Sequence, residues 1–388
     1  MIFVKKLKAS SLLSTLILSL ILFITCSLLL LGIYYFRYFQ VKDQINDRLE
    51  SNIQSVTTIA LSKDLSELPA RDSFLLFNGA QDSGYYTKEL WGVFPVTSVK
   101  TSYKGRYKYS IFLSGASRFQ YDDATLYLAD HDRPLSLAGD TYIEGTAYLP
   151  KSGIRSGFFQ QKGFSRKKLI EGITESSNKQ LPALASYQIS YFKALYKYFS
   201  DKNDALTLIE DDFNSFSGAV KTVKANSWGN LANRSLAGKI IVISDSVIEV
   251  DGSCKLHDVL LLAPFIHFKE GFEGAVQAFA LDSITVDDGC KLTYPSALVG
   301  IGRQETLGNT GATVTLHSGS SLEGILLAIK GDEKSNIQPA VKIKEGASVT
   351  GLVYCDGYTY LNGKIAGSIY THFFFEQRGP LSMENILI

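Results

Sequence analysis

Two stretches of this chain carry nearly one pattern. "SVIEVDGSCKLHD" begins at Ser246 and "SITVDDGCKLTY" at Ser283, and they align with Cys254 set on Cys290. Ser253, Gly271, Gly289, Gly319, Gly346 and Gly363 extend the series as turn anchors, spaced by 18, 18, 30, 27 and 17 residues. Five and three residues before each anchor stand apolar pairs: Ile248 and Val250, Ile266 and Phe268, Ile284 and Val286, Val314 and Leu316, Val341 and Ile343, Tyr358 and Tyr360. Three residues after the anchors, Leu256, Leu292, Leu322 and Val349 recur, with Gly274 and Ala366 breaking that position. Period-two pairs closed by a turn describe a strand with alternate side chains facing inward. A step near eighteen suits a coil of three short strands, so the spacing predicts a β-helix over 236–374. The longer intervals are expected to carry the loops "GRQETLGNTG" and "GDEKSNIQP".

The N-terminus constrains the address. Ala9 to Phe36 holds no charged residue, and Lys5, Lys6 and Lys8 precede it. That length predicts a transmembrane helix over 9–36, with residues 1–8 as a cytoplasmic basic tail and the bulk of the chain extracytoplasmic. A cleavable signal peptide is the rival; its apolar region is shorter and ends in small residues. Val41, Ile45, Leu49, Ile53, Val56 and Ala60 continue at helical spacing, which predicts a helical extension over 37–62 with one apolar face. That face is expected to pack on the chain's own ectodomain, or laterally on similar helices.

This N-terminal segment, "KASSLLSTLILSLILFITCSLLLLGIYYFRYFQ" followed by "DRLESNIQSVTTIAL", resembles the pilin-like proteins, in particular minor pilins and pseudopilins. The resemblance covers residues 1–62 and implies partners of the same kind in a pilus-like or secretion apparatus. The chain departs from that family in lacking the Gly-Phe leader site and a glutamate near the start of the apolar run. The coil pattern is similar to bactofilins and other β-helical envelope proteins over roughly residues 240–372, a resemblance of periodicity that says little about function.

Between these parts, 63–150 reads as a β-rich region with strands in "SFLLF", "LWGVFPV", "YKYSIFLS" and "ATLYLA". "LSLAGDTYIEGTAYLP" reads as an early coil. Residues 151–235 read as a linker and helical segment: the basic "SRKK" is expected in an exposed loop. Leu184, Ile189, Phe192, Leu195 and Phe199 stand at helical intervals, with their aromatic neighbours expected to cap the stack or fill its core. An unblocked end of the stack offers unpaired strands for self-association, as in a self-assembling scaffold, and residues 375–388 read as a C-terminal tail whose Pro380 and charged surroundings argue partly against it by capping the stack. The fold class is therefore mainly β: an N-terminal transmembrane helix, a β-rich region and a C-terminal β-helix.

Chemistry is sparse. Lys and Arg number 39 against 38 Asp and Glu, so no overall field draws the chain to nucleic acid. Cys26 lies in the apolar run; Cys254 and Cys290 at one register two coils apart are expected as unbonded core residues, because two coil spacings exceed disulfide reach. His131, His257, His267, His317 and His372 lack ligand spacing, so neither a metal site nor any cofactor is expected; His267 and His317 are expected to face solvent. Asp251, Asp282, Asp287 and Asp288 near turns are expected as solvated turn residues rather than an active site. Asn233-Arg234-Ser235 matches a glycosylation sequon. The sequence thus points to a non-enzymatic, membrane-anchored envelope protein with a structural or assembly role. The alternatives are a carbohydrate-binding or adhesive module, using exposed tyrosines and the loops after Gly302 and Gly331, and a polysaccharide lyase or hydrolase with converging carboxylates.

Overall fold

The computed structural model describes residues 9–62, 70–77, 81–114, 121, 123–159, 162–185, 188, 190–192, 194–195, 206–207, 211–225, 229–302, 311–329, 340–378 and 381–388. The protein is mainly β, with one long apolar N-terminal helix, α1 (Ala9–Ser62). The chain divides into two compact units.

The first unit holds α1 and most of a four-stranded sheet of order β1 (Ala70–Leu75), β2 (Ser83–Trp91), β3 (Phe94–Tyr103) and β4 (Arg106–Leu113). The helix forms because its run is rich in Leu and Ile and holds no proline. Its few hydroxyls cost little in an apolar surround: Thr15, Ser19 and Thr25 each donate to a carbonyl three residues back at 2.9 Å. Residues 12–44 are exposed on every side. An 18-residue window of this run has a mean hydropathy of 2.8, and its length and composition meet the requirement for crossing a membrane, as an anchor or as a signal sequence. At 1.5 Å per residue α1 is about 80 Å long, more than twice the thickness of a bilayer's hydrocarbon core.

The far end of α1 behaves differently. Leu49, Ile53, Val56 and Ala60 are buried, and Val56 and Ala60 pack with Tyr86, Val99, Phe74 and Phe112 of the sheet. The predicted apolar face therefore packs on the chain's own strands from Leu49 onward, whereas Val41 remains exposed.

The second unit is a nearly all-parallel sheet that closes on itself. Its registers reproduce the repeat: Ile248 stands opposite Ile266, Ile266 opposite Ile284, Ile284 opposite Val314 and Val314 opposite Val341. Ile248, Val250, Phe268, Val286, Leu316 and Ile343 belong to one continuous core that also takes in Cys254, Cys290 and Cys355. Each fully buried Val, Leu, Ile or Phe side chain there contributes about 1.5–3 kcal/mol. Successive ladders approach most closely at glycine. Gly324, Gly351 and Gly367 stand in register with φ of 143°, 133° and 141°, and a Cβ on Gly351 would lie 2.1 Å from the Gly324 carbonyl oxygen.

Several expectations are corrected. In the last repeat the inward residues are Thr359 and Leu361, opposite Val341 and Ile343, rather than Tyr358 and Tyr360, and Ile365 rather than Ala366 stands opposite Val349. The turn before Lys364 is two residues shorter than the one before Ser348, one on each side of Gly363, so the inward positions stand two residues from that anchor instead of three. The region 63–150 is not one piece: β5 (Ala124–Leu128) leaves the meander and pairs in parallel with Ile369–Thr371. From β5 the ladder continues to Thr146–Leu149, the strand of the expected early coil, and then to Thr174–Ser176. Within 151–235, expected as linker and helix, the strands Asp212–Asn214, Lys221–Lys224 and Asn230–Leu231 join the same parallel sheet. The expected tail 375–388 is structured: Leu381–Glu384 pairs antiparallel with Phe375–Arg378, and Ile386 and Leu387 are buried beside Ser136 and Leu137. Pro380 lies outside the described residues. The flank it was expected to cap is occupied by β5. "LWGVFPV" is a hairpin rather than a strand, turning at Gly92 with φ of 65°.

Candidate functional site

Within the first unit, α1 and the sheet are joined by a buried polar cluster. The Arg48 guanidinium donates to both Asp82 carboxylate oxygens at 2.9 and 2.8 Å, and Asn52 Nδ2 donates to the same carboxylate at 2.7 Å. The Arg48 hydrogen bond holds the Asp82 carboxyl below its ordinary range, against the opposing effect of burial and with help from Asn52. The Arg48 plane also lies over Tyr103 and Phe77, 4.9 and 5.5 Å from the ring centroids.

The opposite face of this sheet is open. Tyr86 and Val99 point to the helix, so their neighbours Tyr85 and Lys100 point away. Tyr85, Tyr107 and Tyr109 are 38, 60 and 57% exposed. The Lys100 ammonium sits 4.8 Å from the Tyr107 centroid and 5.3 Å from that of Tyr109. Ser83 and Ser102 hydrogen-bond each other at 2.7 Å beside them. An open groove of 490 Å³ runs over Ser73, Leu75, Tyr85, Lys100 and Tyr107. Exposed tyrosines clustered on one face are what a binding module requires, and here they lie outside the repeat.

In the second unit four tyrosines are stacked and covered, while Tyr142 and Tyr294 are exposed. Tyr354, Tyr370, Tyr127 and Tyr148 form a column with centroid separations of 6.3, 5.8 and 5.7 Å, all at most 7% exposed. The segment after Ser177 lies over them: Tyr127 donates to the Gln180 carbonyl and Tyr354 to that of Pro182. Burial, with the Asp123 hydrogen bond, pushes the Tyr148 phenol up to about 12. Phe192 packs on Phe279, 5.9 Å between centroids, so the aromatics of this segment cover a side of the sheet rather than capping its end. Leu195 is buried as well; Ile189 and Phe199 lie outside the described residues. The tip of the β2–β3 hairpin, which belongs to this unit, is held by the buried Gln277: its Oε1 accepts from Val93 N at 2.8 Å and its Nε2 donates to Trp91 O at 2.9 Å.

The carboxylates at the turns do not converge. Main-chain hydrogen bonds from Lys269 to Val250 and from Asp287 to Phe268 set Lys269 between Asp251 and Asp287 along one column. Asp251 accepts from Ser253 side-chain and backbone groups, which holds its carboxyl below the ordinary range. Lys269 pairs with Glu249 and His267 with Asp287, at 2.8 and 2.7 Å. His267 is half-buried in that pair rather than free in solvent, and His317 lies beside Lys344. His257 pairs with its neighbour Asp258; Asp288 is exposed and Asp282 half-buried. Among the described residues no group of three His, Cys, Asp or Glu is placed to hold a metal ion.

Cys254, Cys290 and Cys355 are buried free thiols, and burial raises all three, Cys355 to about 12. They are packing residues rather than nucleophiles. "SRKK" at 165–168 is exposed, with Arg166 3.1 Å from Asp140 and over the Tyr142 ring. Asn233 of the sequon is exposed at a left-handed turn with φ of 51°. The loops after Gly302 and Gly331 lie outside the described residues.

One pair escaped the sequence reading. His131 Nε2 and His372 Nδ1 are 3.0 Å apart, and the other face of His372 meets Asp356 at 3.1 Å. His131 also stacks on Phe373, with a centroid distance of 4.2 Å. Burial, then the neighbouring His372, lowers the His131 pKa. The two histidines are 241 residues apart in sequence, and no local spacing could have joined them. Comparison with protein-family models, with curated proteins and with solved structures finds no match for this chain.

Proposed function

We propose that the protein is a single-pass, membrane-anchored envelope protein with a structural or assembly role. In this reading residues 9–36 of α1 cross the bilayer with the N-terminus cytoplasmic, and the bulk of the chain is extracytoplasmic. The carrying observation is the division of one unbroken helix. Residues 12–44 meet no protein surface, while Leu49, Ile53, Val56 and Ala60 pack on the chain's own sheet. So large an apolar surface needs either lipid or the helices of neighbouring subunits. Continuity of the helix from Ala9 to Ser62 supports a retained anchor over a cleaved signal sequence.

The parallel ladders of the second unit are read as coils of a β-helix. Its supports are the in-register steps of 18 residues from Ile248 to Ile266 and Ile284, and an inward column of Val, Ile, Leu and Phe. A helix half packed on a four-stranded meander and half unpacked favours a pilus-like or secretion apparatus, in which similar helices bundle. Two measurements test the proposal. Cys26→Ser protein carrying Lys5→Cys or Leu61→Cys, with Cys254, Cys290 and Cys355 left buried in the core, is labelled in intact cells with a membrane-impermeant maleimide; labelling above that of Cys26→Ser alone is expected for Leu61→Cys only. Tagged full-length protein purified from native membranes is expected to bring stoichiometric pilin-like or secretion proteins with it. Labelling at position 5, or a mature chain lacking residues 9–36, overturns the anchor; recovery of the protein alone overturns the assembly role.

A further inference from the structure

We propose that the outward face of the β1–β4 sheet is a binding surface for an acidic polysaccharide. Three features of that face select the ligand class. Tyr85, Tyr107 and Tyr109 present flat rings to solvent, and Tyr107 and Tyr109 lie about 7 Å apart along one strand, so that both can meet one sugar chain. Ser73, Ser83 and Ser102 line the groove beside them and supply hydroxyls for sugar oxygens. Arg71 and Lys100 supply positive charge: Arg71 shares the face of Ser73, and Lys100 is fixed over two tyrosine rings.

Among the described residues of β1–β4 the one carboxylate on that face is Glu89, which follows the alternation of Tyr85 along β2 and is paired with Lys239 at 3.5 Å. Asp72 stands opposite Tyr86, which is buried toward the helix; Asp82 is buried against Arg48; Glu50 on α1 pairs with Lys108. The face therefore complements a negatively charged ligand. Leu75 and Phe74 are the large apolar residues lining the groove besides the tyrosines, and Ile111 follows Tyr109 on the same face. Aromatic rings that stack on a sugar's C–H face, with a cation beside them, recognise a uronate-containing chain without a deep pocket.

The test uses full-length protein in detergent. The probes are polygalacturonate, the same polymer with its carboxyls reduced, and phosphatidylglycerol vesicles. Wild type is expected to bind polygalacturonate, and to bind the reduced polymer at least about tenfold more weakly. Tyr107→Ala/Tyr109→Ala and Lys100→Gln are each expected to lose at least about tenfold in affinity. Tyr107→Phe/Tyr109→Phe, which keeps the rings, is expected to bind as wild type does. Because Tyr107 and Tyr109 are exposed and Lys100 is half-buried at the surface, the variants are expected to unfold at the wild-type temperature. No binding to polygalacturonate, equal binding by the Ala variant, equal binding of the reduced polymer, or binding to the anionic vesicles alone each overturns the proposal. Loss of binding on Arg166→Ala/Lys167→Ala with the sheet variants unaffected overturns it too, by moving the site to the exposed basic loop.

Discussion

Tyr370 stands in parallel register with Tyr127, their rings 5.8 Å apart and 24° from parallel, so a strand near the C-terminus is continued by one from the first half of the chain. Tyr127 is buried, and its hydroxyl accepts from Asn178 N at 2.9 Å. Tyr127→Ala is expected to cost about 3–5 kcal/mol through lost packing. Tyr127→Phe leaves the Asn178 N–H without that partner and is expected to cost about 1–3 kcal/mol. Urea unfolding of the three proteins checks both; equal stability would show that the junction is not part of the cooperative fold.

Gln277 fastens the hairpin at Trp91–Phe94 through two buried hydrogen bonds. Gln277→Leu leaves Val93 N and Trp91 O unpaired and is expected to destabilise by about 2–4 kcal/mol, from two lost partners at about 1–3 each with some relaxation. Gly92→Ala reaches the same end differently, since its φ is 65° and a Cβ would lie 1.9 Å from Gln277 Oε1. Fluorescence of Trp91, whose Nε1 donates to the Asp258 carbonyl, reports release of the tip in either variant. An unchanged emission spectrum in both would contradict the clamp.

How much of this was legible depended on local regularity. Ile248, Ile266 and Ile284 repeat at an equal step because each turn between them has the same length, and such a pattern survives in one dimension. At Leu361–Lys364 the turn loses two residues, and the alternation was read one place off, at Tyr358 and Tyr360 instead of Thr359 and Leu361. Thr146–Leu149 was legible as an early coil, but its link through Leu126 to Ile369 was not, because it joins distant segments with unequal steps and little apolar repetition. The amphipathic end of α1 was legible because Leu49, Ile53, Val56 and Ala60 keep helical spacing. The tyrosine–lysine face was not, because strand alternation in Tyr85, Lys100 and Tyr107 leaves open which side the helix covers.

Gly351 separates backbone strain from simple loss of flexibility. Its φ of 133° is essentially reserved for glycine, and the Gly324 carbonyl oxygen sits 2.1 Å from where a Cβ would be. Gly351→Ala is expected to cost more than the about 1–3 kcal/mol of the dihedral alone, because the ladder to Gly324 must also open. Thermal unfolding checks this, with Gly289→Asn as comparison: Gly289 also has positive φ, at 68°, but nothing within 4 Å, and Asn tolerates that region. Similar losses in both variants would refute the close-approach argument.

Asp82 links the first unit to acid. Its folded carboxyl is held below the ordinary value of 3.8 chiefly by the Arg48 hydrogen bond. A lowered carboxyl contributes stability that is fully present above the unfolded value and is lost as pH falls through the folded one. Hydrogen exchange at Leu49–Ala60 is therefore expected to accelerate, relative to intrinsic rates, as pH drops below 3.8. Asp82→Asn is expected to be less protected at neutral pH and to lack that acid step. An acid step retained in Asp82→Asn would assign it to another carboxylate.

His131 sets an opposite test at milder pH. Its imidazole is lowered from 6.5 by burial first and by His372 second; Lys179 acts in the same sense, while Asp130 and Asp132 act against it, and Asp356 faces the far nitrogen of His372. A histidine whose folded pKa is depressed favours the neutral form, so its contribution is complete above 6.5 and declines as pH falls through that value toward the folded one. The junction of β5 with Ile369–Thr371 is thus expected to weaken as pH is lowered from 6.5 to about pH 5. Native-state proteolysis after Leu128, followed across that range, reads the opening directly. His131→Phe keeps the stacking on Phe373 without a titrating group, and is expected to abolish the pH dependence between those limits. If the variant opens with acid as wild type does, the imidazole pair is a packing contact and the dependence lies in other groups.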